Sequence, residues 1–328
     1  MQFLIPQVVS SPIVDRYDIW VNTNNTHDIE FFKQVADKYP KINLVWQPEG
    51  IVNGIRSINA FYKDCIEDNT IYIKLDDDVV WLETDFFEKI VRFRIENPEY
   101  FLVSPLVINN AISTYILQNK GKIKLKRYMR AMATEKISFR SGYFAAELHD
   151  WFLTTQLPDG KYKQLYSGKN PISLNRFSIN AVLWFGETMK KFQGIVTGDD
   201  EEYLSVIKPA ELGLSNCIDG NTIISHFAFR PQRKLLDKKN ILKRYGAFLR
   251  KSWADDHDMK KIDDEIQQIL TDISARSREI GMLPPPYREI RKPGRIVKIF
   301  RNFSRILYNM NNKRAYIEVN PNNLVKNI

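Results

Sequence analysis

The chain has 328 residues, 44% hydrophobic and 27% charged, an ordinary globular composition with room for one large domain and an appendage. No run of about 18 apolar residues occurs, so no membrane-spanning helix is expected; Cys65 and Cys217 lack metal-site spacing and suit a reducing cytoplasm without a disulfide framework. The net charge of +9 asks for an anionic partner: nucleic acid, a membrane surface or a phosphate-bearing substrate.

The opening MQFLIPQVVSSP lacks a basic start followed by a full apolar core, so no signal peptide is expected. Tyr17 to Val21 reads as a strand that closes on the polar run Asn22–Thr26. Asp28 to Tyr39 reads as a helix, with Phe31, Phe32, Val35 and Ala36 at helical spacing, Thr26 or Asp28 as cap and Pro40 as stop. Ile42 to Trp46 is a second strand, and Asn53 to Cys65 a second helix. The apolar run Ile71–Leu75 is a third strand, which ends on Asp76, Asp77 and Asp78 before Val79–Leu82.

Strand, helix, strand, helix, strand at this spacing predicts a parallel sheet with crossover helices, and ligands bind such sheets beyond the carboxyl ends of the strands. Three adjacent carboxylates repel, and burial penalises each. A cation removes both costs, and oxygen ligands suit Mg²⁺ or Mn²⁺ shared with substrate phosphates. The alternative is a solvated acidic turn.

A helix over Asp85 to Asn97 and a strand over Tyr100 to Ile108 follow. Lys120 to Arg130 forms a basic cluster, readable as an anion contact or as a solvated face. The aromatic stretch Tyr143 to Phe152 and a strand-like Ser178 to Trp184 come next. Gly198-Asp199-Asp200-Glu201-Glu202 reads as a helix N-terminus, where acids complement the dipole or one carboxylate serves as a general base. Asn221 to Phe229 is a strand carrying His226, either a core histidine or a third metal ligand.

The rest differs in character. Met259, Ile262, Ile266, Ile269 and Ile273 define an amphipathic helix long enough for a helix pair but short for a coiled coil, and a homodimer is a candidate assembly of the chain. Leu283-Pro284-Pro285-Pro286 is a linker. Beyond it, Ile296, Ile299, Phe300, Phe303, Ile306, Leu307 and Met310 line one helical face opposite Lys298, Arg301 and Arg305. A basic amphipathic helix over 295–310 either lies on an anionic membrane surface or packs on the main domain.

With these residues in hand, the chain resembles glycosyltransferases of the GT-A fold, in particular the large inverting family that includes many bacterial surface-polysaccharide enzymes. Three features over residues 10–230 carry the resemblance: a "DxD" motif after a hydrophobic strand (Asp76-Asp77-Asp78), an acidic motif opening a later helix (Gly198-Asp199-Asp200-Glu201), and a histidine beyond it (His226). It implies an α/β, GT-A-like (Rossmann-type), mostly parallel sheet over residues 1–232 and a helical, basic extension over 233–328. It implies a nucleotide-sugar donor, a glycan or lipid-linked acceptor, and Mn²⁺ or Mg²⁺ held by Asp78 with Asp76 and His226. Asp76 or Asp77 would also touch the donor, and Asp200 would be the base, with Asp199 or Glu201 as alternatives. Asn22 and Arg56 are candidates for reading the nucleotide. The family's first strand would fall on Gln2–Val9, which reads equally well as a helix, and its base-reading acid is replaced by Asn22, Thr23 and Asn24. The expected location is the cytoplasm, with peripheral contact to the inner membrane face.

A nucleotidyltransferase or an aspartyl-phosphate phosphatase would use similar strand-end acids. A basic nucleic-acid-binding protein accounts for the charge but not for acids at the strand ends, and no nucleic-acid partner is expected.

Overall fold

The computed structural model describes residues 1–289, without the side chains of Ile55, Arg56 and Glu289; the segment 295–310 therefore lies outside the described residues, as does the Arg56 side chain. The chain opens with a helix, Leu4–Ser10, whose Leu4, Ile5 and Val8 are buried. No strand precedes β1 (Tyr17–Val21), which pairs in parallel with β2 (Ile42–Trp46). The helix between them, Thr26–Lys38, is capped by the Asn25 side chain and presents Phe31 and Val35 to the core. Expected as an α-helix, the next element is a 3₁₀ helix, Gly54–Asp64, after the short β3 (Ile51–Val52).

The main sheet contains β4 (Ile71–Leu75), β5 (Val79–Leu82), β6 (Tyr100–Ile108), β7 (Lys169–Ile172), β8 (Ala181–Phe185) and β9 (Ser215–His226), in the order β4-β8-β6-β9-β5 with β7 also on β9. The expectation of a mostly parallel sheet is corrected here: only β6–β9 is parallel, whereas β4–β8, β6–β8, β5–β9 and β7–β9 are antiparallel. The architecture is α/β with a mixed, open sheet flanked by helices. The reason is that β4 pairs with β8, from much later in the chain, rather than with β1 or β2, which form their own two-stranded sheet.

β4 and β5 are consecutive in sequence but end the strand order on opposite sides. The link from Leu75 to Val79 reaches at most about 14 Å. Five flat strands would span about 19 Å. The sheet must therefore curl, and the acidic triplet sits where its two edges approach. β6, in the middle of the strand order, has all nine residues buried, and Pro105 falls at a register shift, where a missing donor is tolerated.

The helices after residue 232 share the core. Leu236, Ile241, Tyr245, Leu249 and Trp253 belong to the same buried cluster as Phe101, Phe144 and Phe227. The helix His257–Ala275 exists as expected, and its Ile262, Ile266, Ile269 and Ile273 pack against Phe31 and Val35 of this chain. Each such side chain contributes about 2 kcal/mol by burial. The helix pair is thus intramolecular. Finally β10 (Arg288–Glu289) pairs in parallel with β3, and Asn24 hydrogen-bonds both backbone polar groups of Tyr287. Among the described residues no helix is long and apolar enough to cross a membrane.

Candidate metal and acid-base site

The turn between β4 and β5 is stitched to both neighbouring strands. Asp76 N–H donates to the Asn180 carbonyl (2.8 Å), and Phe227 N–H donates to the Asp78 carbonyl (2.9 Å). Alternation along the turn then sends Asp76 and Asp78 inward, while Asp77 is exposed. The last residue of β9, His226, is 3% exposed and faces Asp78, with Nε2 3.1 Å from Oδ1. Ligand atoms of Asp76, Asp78 and His226 all lie within 4.8 Å of one another, the one such group of metal-type ligands among the described residues.

Positive groups surround this cluster. Lys74 Nζ sits 2.7 Å from Asp76 Oδ1, and Asn180 donates to Oδ2 at 2.9 Å. Arg233 Nη2 lies 3.1 Å from Asp78 Oδ2. Burial would raise the Asp78 carboxyl, but the charge and hydrogen bond of His226, with Arg233, bring it down to about 2. For His226, burial opposes protonation and Asp78 more than offsets it, so its pKa rises above the ordinary value. The Asn109 backbone also favours the charged ring, yet Nδ1 is buried without a well-aligned hydrogen bond.

Two carboxylates and an imidazole are a donor set for a divalent ion, with Mn²⁺ the better match because it accepts nitrogen more readily than Mg²⁺. In this structure the acids are paired with protein cations, Asp76 with Lys74 and Asp78 with His226 and Arg233. In a loaded site Asp76, Asp78 and His226 would hold the ion.

The second acidic stretch is split by function of position. Asp199 caps the helix at Asp200–Glu202, accepting from Glu202 N–H, and Arg176 holds Asp199 (2.9 Å), Glu201 (2.7 Å) and Glu202 (3.3 Å). Burial raises the Glu201 carboxyl, but Asp200 is the most buried of the four. It is 8% exposed, accepts a hydrogen bond from the Tyr62 hydroxyl (3.1 Å), and feels both Lys74 and Asp76. Burial raises its pKa, with Lys74 and Tyr62 opposing. Lys74 therefore stands between the two acidic stretches: burial weakens its charge, and Asp76 and Asp200 restore it.

The helix that carries Asp200 continues through a wider π-type turn, Tyr203–Ile207, into Lys208–Leu212. Pro209 has no N–H to offer the Ser205 carbonyl four residues back, and the Asn216 side chain donates to it instead (3.1 Å). Tyr62 is fixed from behind by Gly194, where a Cβ would fall 2.3 Å from the Tyr62 carbonyl.

The remaining nucleotide-reading candidate, Asn22, uses its side-chain oxygen for Ser57 Oγ (2.8 Å) and its amide for the Gly54 carbonyl (3.0 Å), which ties β1 to the 3₁₀ helix. Sequence reasoning missed Lys74, Arg176, Arg233, Tyr62 and Asn180. Of these, only Lys74 had a signal: a charge in the middle of an apolar strand. A cavity of about 930 Å³ opens at the other end of β5, beside Trp81, Glu83 and Trp253, away from this cluster. No protein-family model, curated protein or solved structure matches this chain.

Proposed function

We propose that the chain is a metal-dependent glycosyltransferase that moves a sugar from a nucleoside-diphosphate donor to a hydroxyl of a glycan or lipid-linked acceptor, with inversion. The observation that carries this reading is the convergence of Asp76, Asp78 and His226, with the buried Asp200 close enough to feel the charges of Lys74 and Asp76. A bound Mn²⁺ or Mg²⁺ would stabilise the negative charge that grows on the departing diphosphate.

The chain's own groups supply the rest. Arg233, half-exposed at the rim, is placed to leave Asp78 for an anionic substrate. Asp200 takes the acceptor hydroxyl proton; its raised pKa makes it a better base than an ordinary aspartate. Tyr62 fixes the orientation of that carboxylate, and Lys74 keeps Asp200 and Asp76 from repelling each other. A nucleoside diphosphate is a good leaving group without protonation, so one base suffices where hydrolases need a carboxyl pair.

The test is product identity. With Mn²⁺ and a panel of nucleotide sugars, this reading expects release of nucleoside diphosphate, lost in Asp78→Ala. Pyrophosphate would make the chain a nucleotidyltransferase, and free phosphate from simple phosphoesters would make it a phosphatase.

A further inference from the structure

The segment joining the helices Ala111–Asn119 and Lys136–Arg140 holds Lys120, Lys122, Lys124, Lys126, Arg127 and Arg130 against a single acid, Glu135. That acid is engaged, its carboxylate capping the N–H groups of Ile137 and Ser138. The segment is not a loose charge run. Ile123 and Met129 are buried as pins, and Gln118 bonds the Arg127 carbonyl (3.0 Å) and the Met129 N–H (2.9 Å).

Apolar groups stand exposed among the charges. Tyr128 is 69% exposed and packs edge-on against Tyr115, Met132 is 42% exposed, and Leu174 on the adjoining segment is 54% exposed. Single exposed apolar residues are common on protein surfaces; here three stand together with the basic run. Tyr128 is a flat group on which a nucleic-acid base would stack, but Met132 and Leu174 are aliphatic and offer bases no such face. Fixed positive charge with protruding hydrocarbon matches an anionic lipid surface, which attracts the charge and accepts the side chains at the acyl boundary.

The position also matters. Ala133 N–H donates to the Arg176 carbonyl (2.9 Å), and the same arginine grips Asp199 and Glu201 beside the buried Asp200. We propose that residues 120–132, with Leu174, dock the chain on an anionic bilayer surface. Docking there places a lipid-linked acceptor next to Asp200. That last step rests on the glycosyltransferase reading, but docking itself needs neither donor nor metal, so each can fail alone.

The experiment is co-sedimentation of the full chain with phosphatidylcholine vesicles, with and without phosphatidylglycerol. The chain is expected on the anionic vesicles only, and to be released at about 1 M salt, where the Debye length falls to about 3 Å. The triple variant Lys122→Glu, Lys126→Glu, Arg130→Glu should lower partitioning about tenfold or more. Tyr128→Ser with Met132→Ser should lower it several-fold, with circular dichroism unchanged in both. Equal binding to neutral vesicles, or wild-type partitioning of the triple variant, overturns the proposal. So does duplex DNA binding that the triple variant loses while vesicle binding stays as in wild type.

Discussion

The two acidic stretches look alike in sequence and are handled in opposite ways by the fold. At Asp76-Asp77-Asp78 the cations come from separate elements: Lys74 from β4, His226 from β9 and Arg233 from the helix that follows. Each meets one inward acid, and none seals the cluster. At Asp199–Glu202 one residue, Arg176, ties up three acids and leaves Asp200, the most buried of the four, unpaired by it. In the first, each inward acid has its own cation, and of those cations only Arg233 is solvent-exposed; in the second, one arginine is shared by three acids. A run of acids therefore says little until the positions of the neighbouring cations are known.

The largest effects should separate Asp200 from its neighbours. Asp200→Asn removes the proposed base and should cut transfer by on the order of 10²–10⁴-fold in a steady-state assay, with an unchanged circular dichroism spectrum. Asp78→Ala should cost on the order of 10²–10³-fold, because it takes a ligand from the metal cluster. By contrast, Asp199→Asn and Glu201→Gln should each retain activity within about tenfold, since their role is to hold a helix start. If Glu201→Gln is the inactive one, the division drawn between the braced acids and Asp200 is wrong.

Next in size is Arg176→Ala. Its three ion pairs are partly exposed, so each contributes modestly. Their joint loss leaves three like charges at one helix start and should lower the melting temperature by a few degrees. Restoring charge with Arg176→Lys should recover only part, because one ammonium cannot bridge three carboxylates.

The smallest effect is on pH dependence in metal-free protein, where two buried histidines make a second contrast. His226, beside Asp78, has a raised pKa. Its stabilising contribution is full below the unfolded value of 6.5 and fades as pH rises through its folded value. His149 has no carboxylate partner; it bonds the Phe227 carbonyl and the Tyr245 hydroxyl, and burial pushes it down to about 4. The unfolded chain binds that proton first, so acidification from 6.5 to about 4 destabilises the fold. Asp78, depressed from 3.8 to about 2, adds a further loss as pH falls between those values. Urea midpoints across pH should show the alkaline decline flattened in His226→Gln and the acid decline flattened in His149→Gln.

Much of this was legible in the chain. The apolar run Ile71–Leu75 breaking into three acids, and the capped helix starting near Asp200, are local patterns that need no partner to be read. Strand direction was not legible, because β4 finds its neighbour in β8, after a long stretch without clear periodicity. The same stretch hides Arg176, which sits in an irregular segment where no pattern marks its role. The opening helix Leu4–Ser10 was ambiguous for a physical reason: seven mostly apolar residues bury equally well as a strand, and only tertiary packing decides, Ile5 against the helix His257–Ala275 and Leu4 and Val8 in the cluster of Val79, Leu82 and Phe86.

The most direct test is a thermal-melt titration of wild-type protein and Asp78→Ala with Mn²⁺. A single site saturated to about 100 times its dissociation constant stabilises by about 2.7 kcal/mol. The account predicts a saturable rise in melting temperature for the wild type and none for the variant. An unresponsive wild type, or the same rise in both proteins, would contradict it.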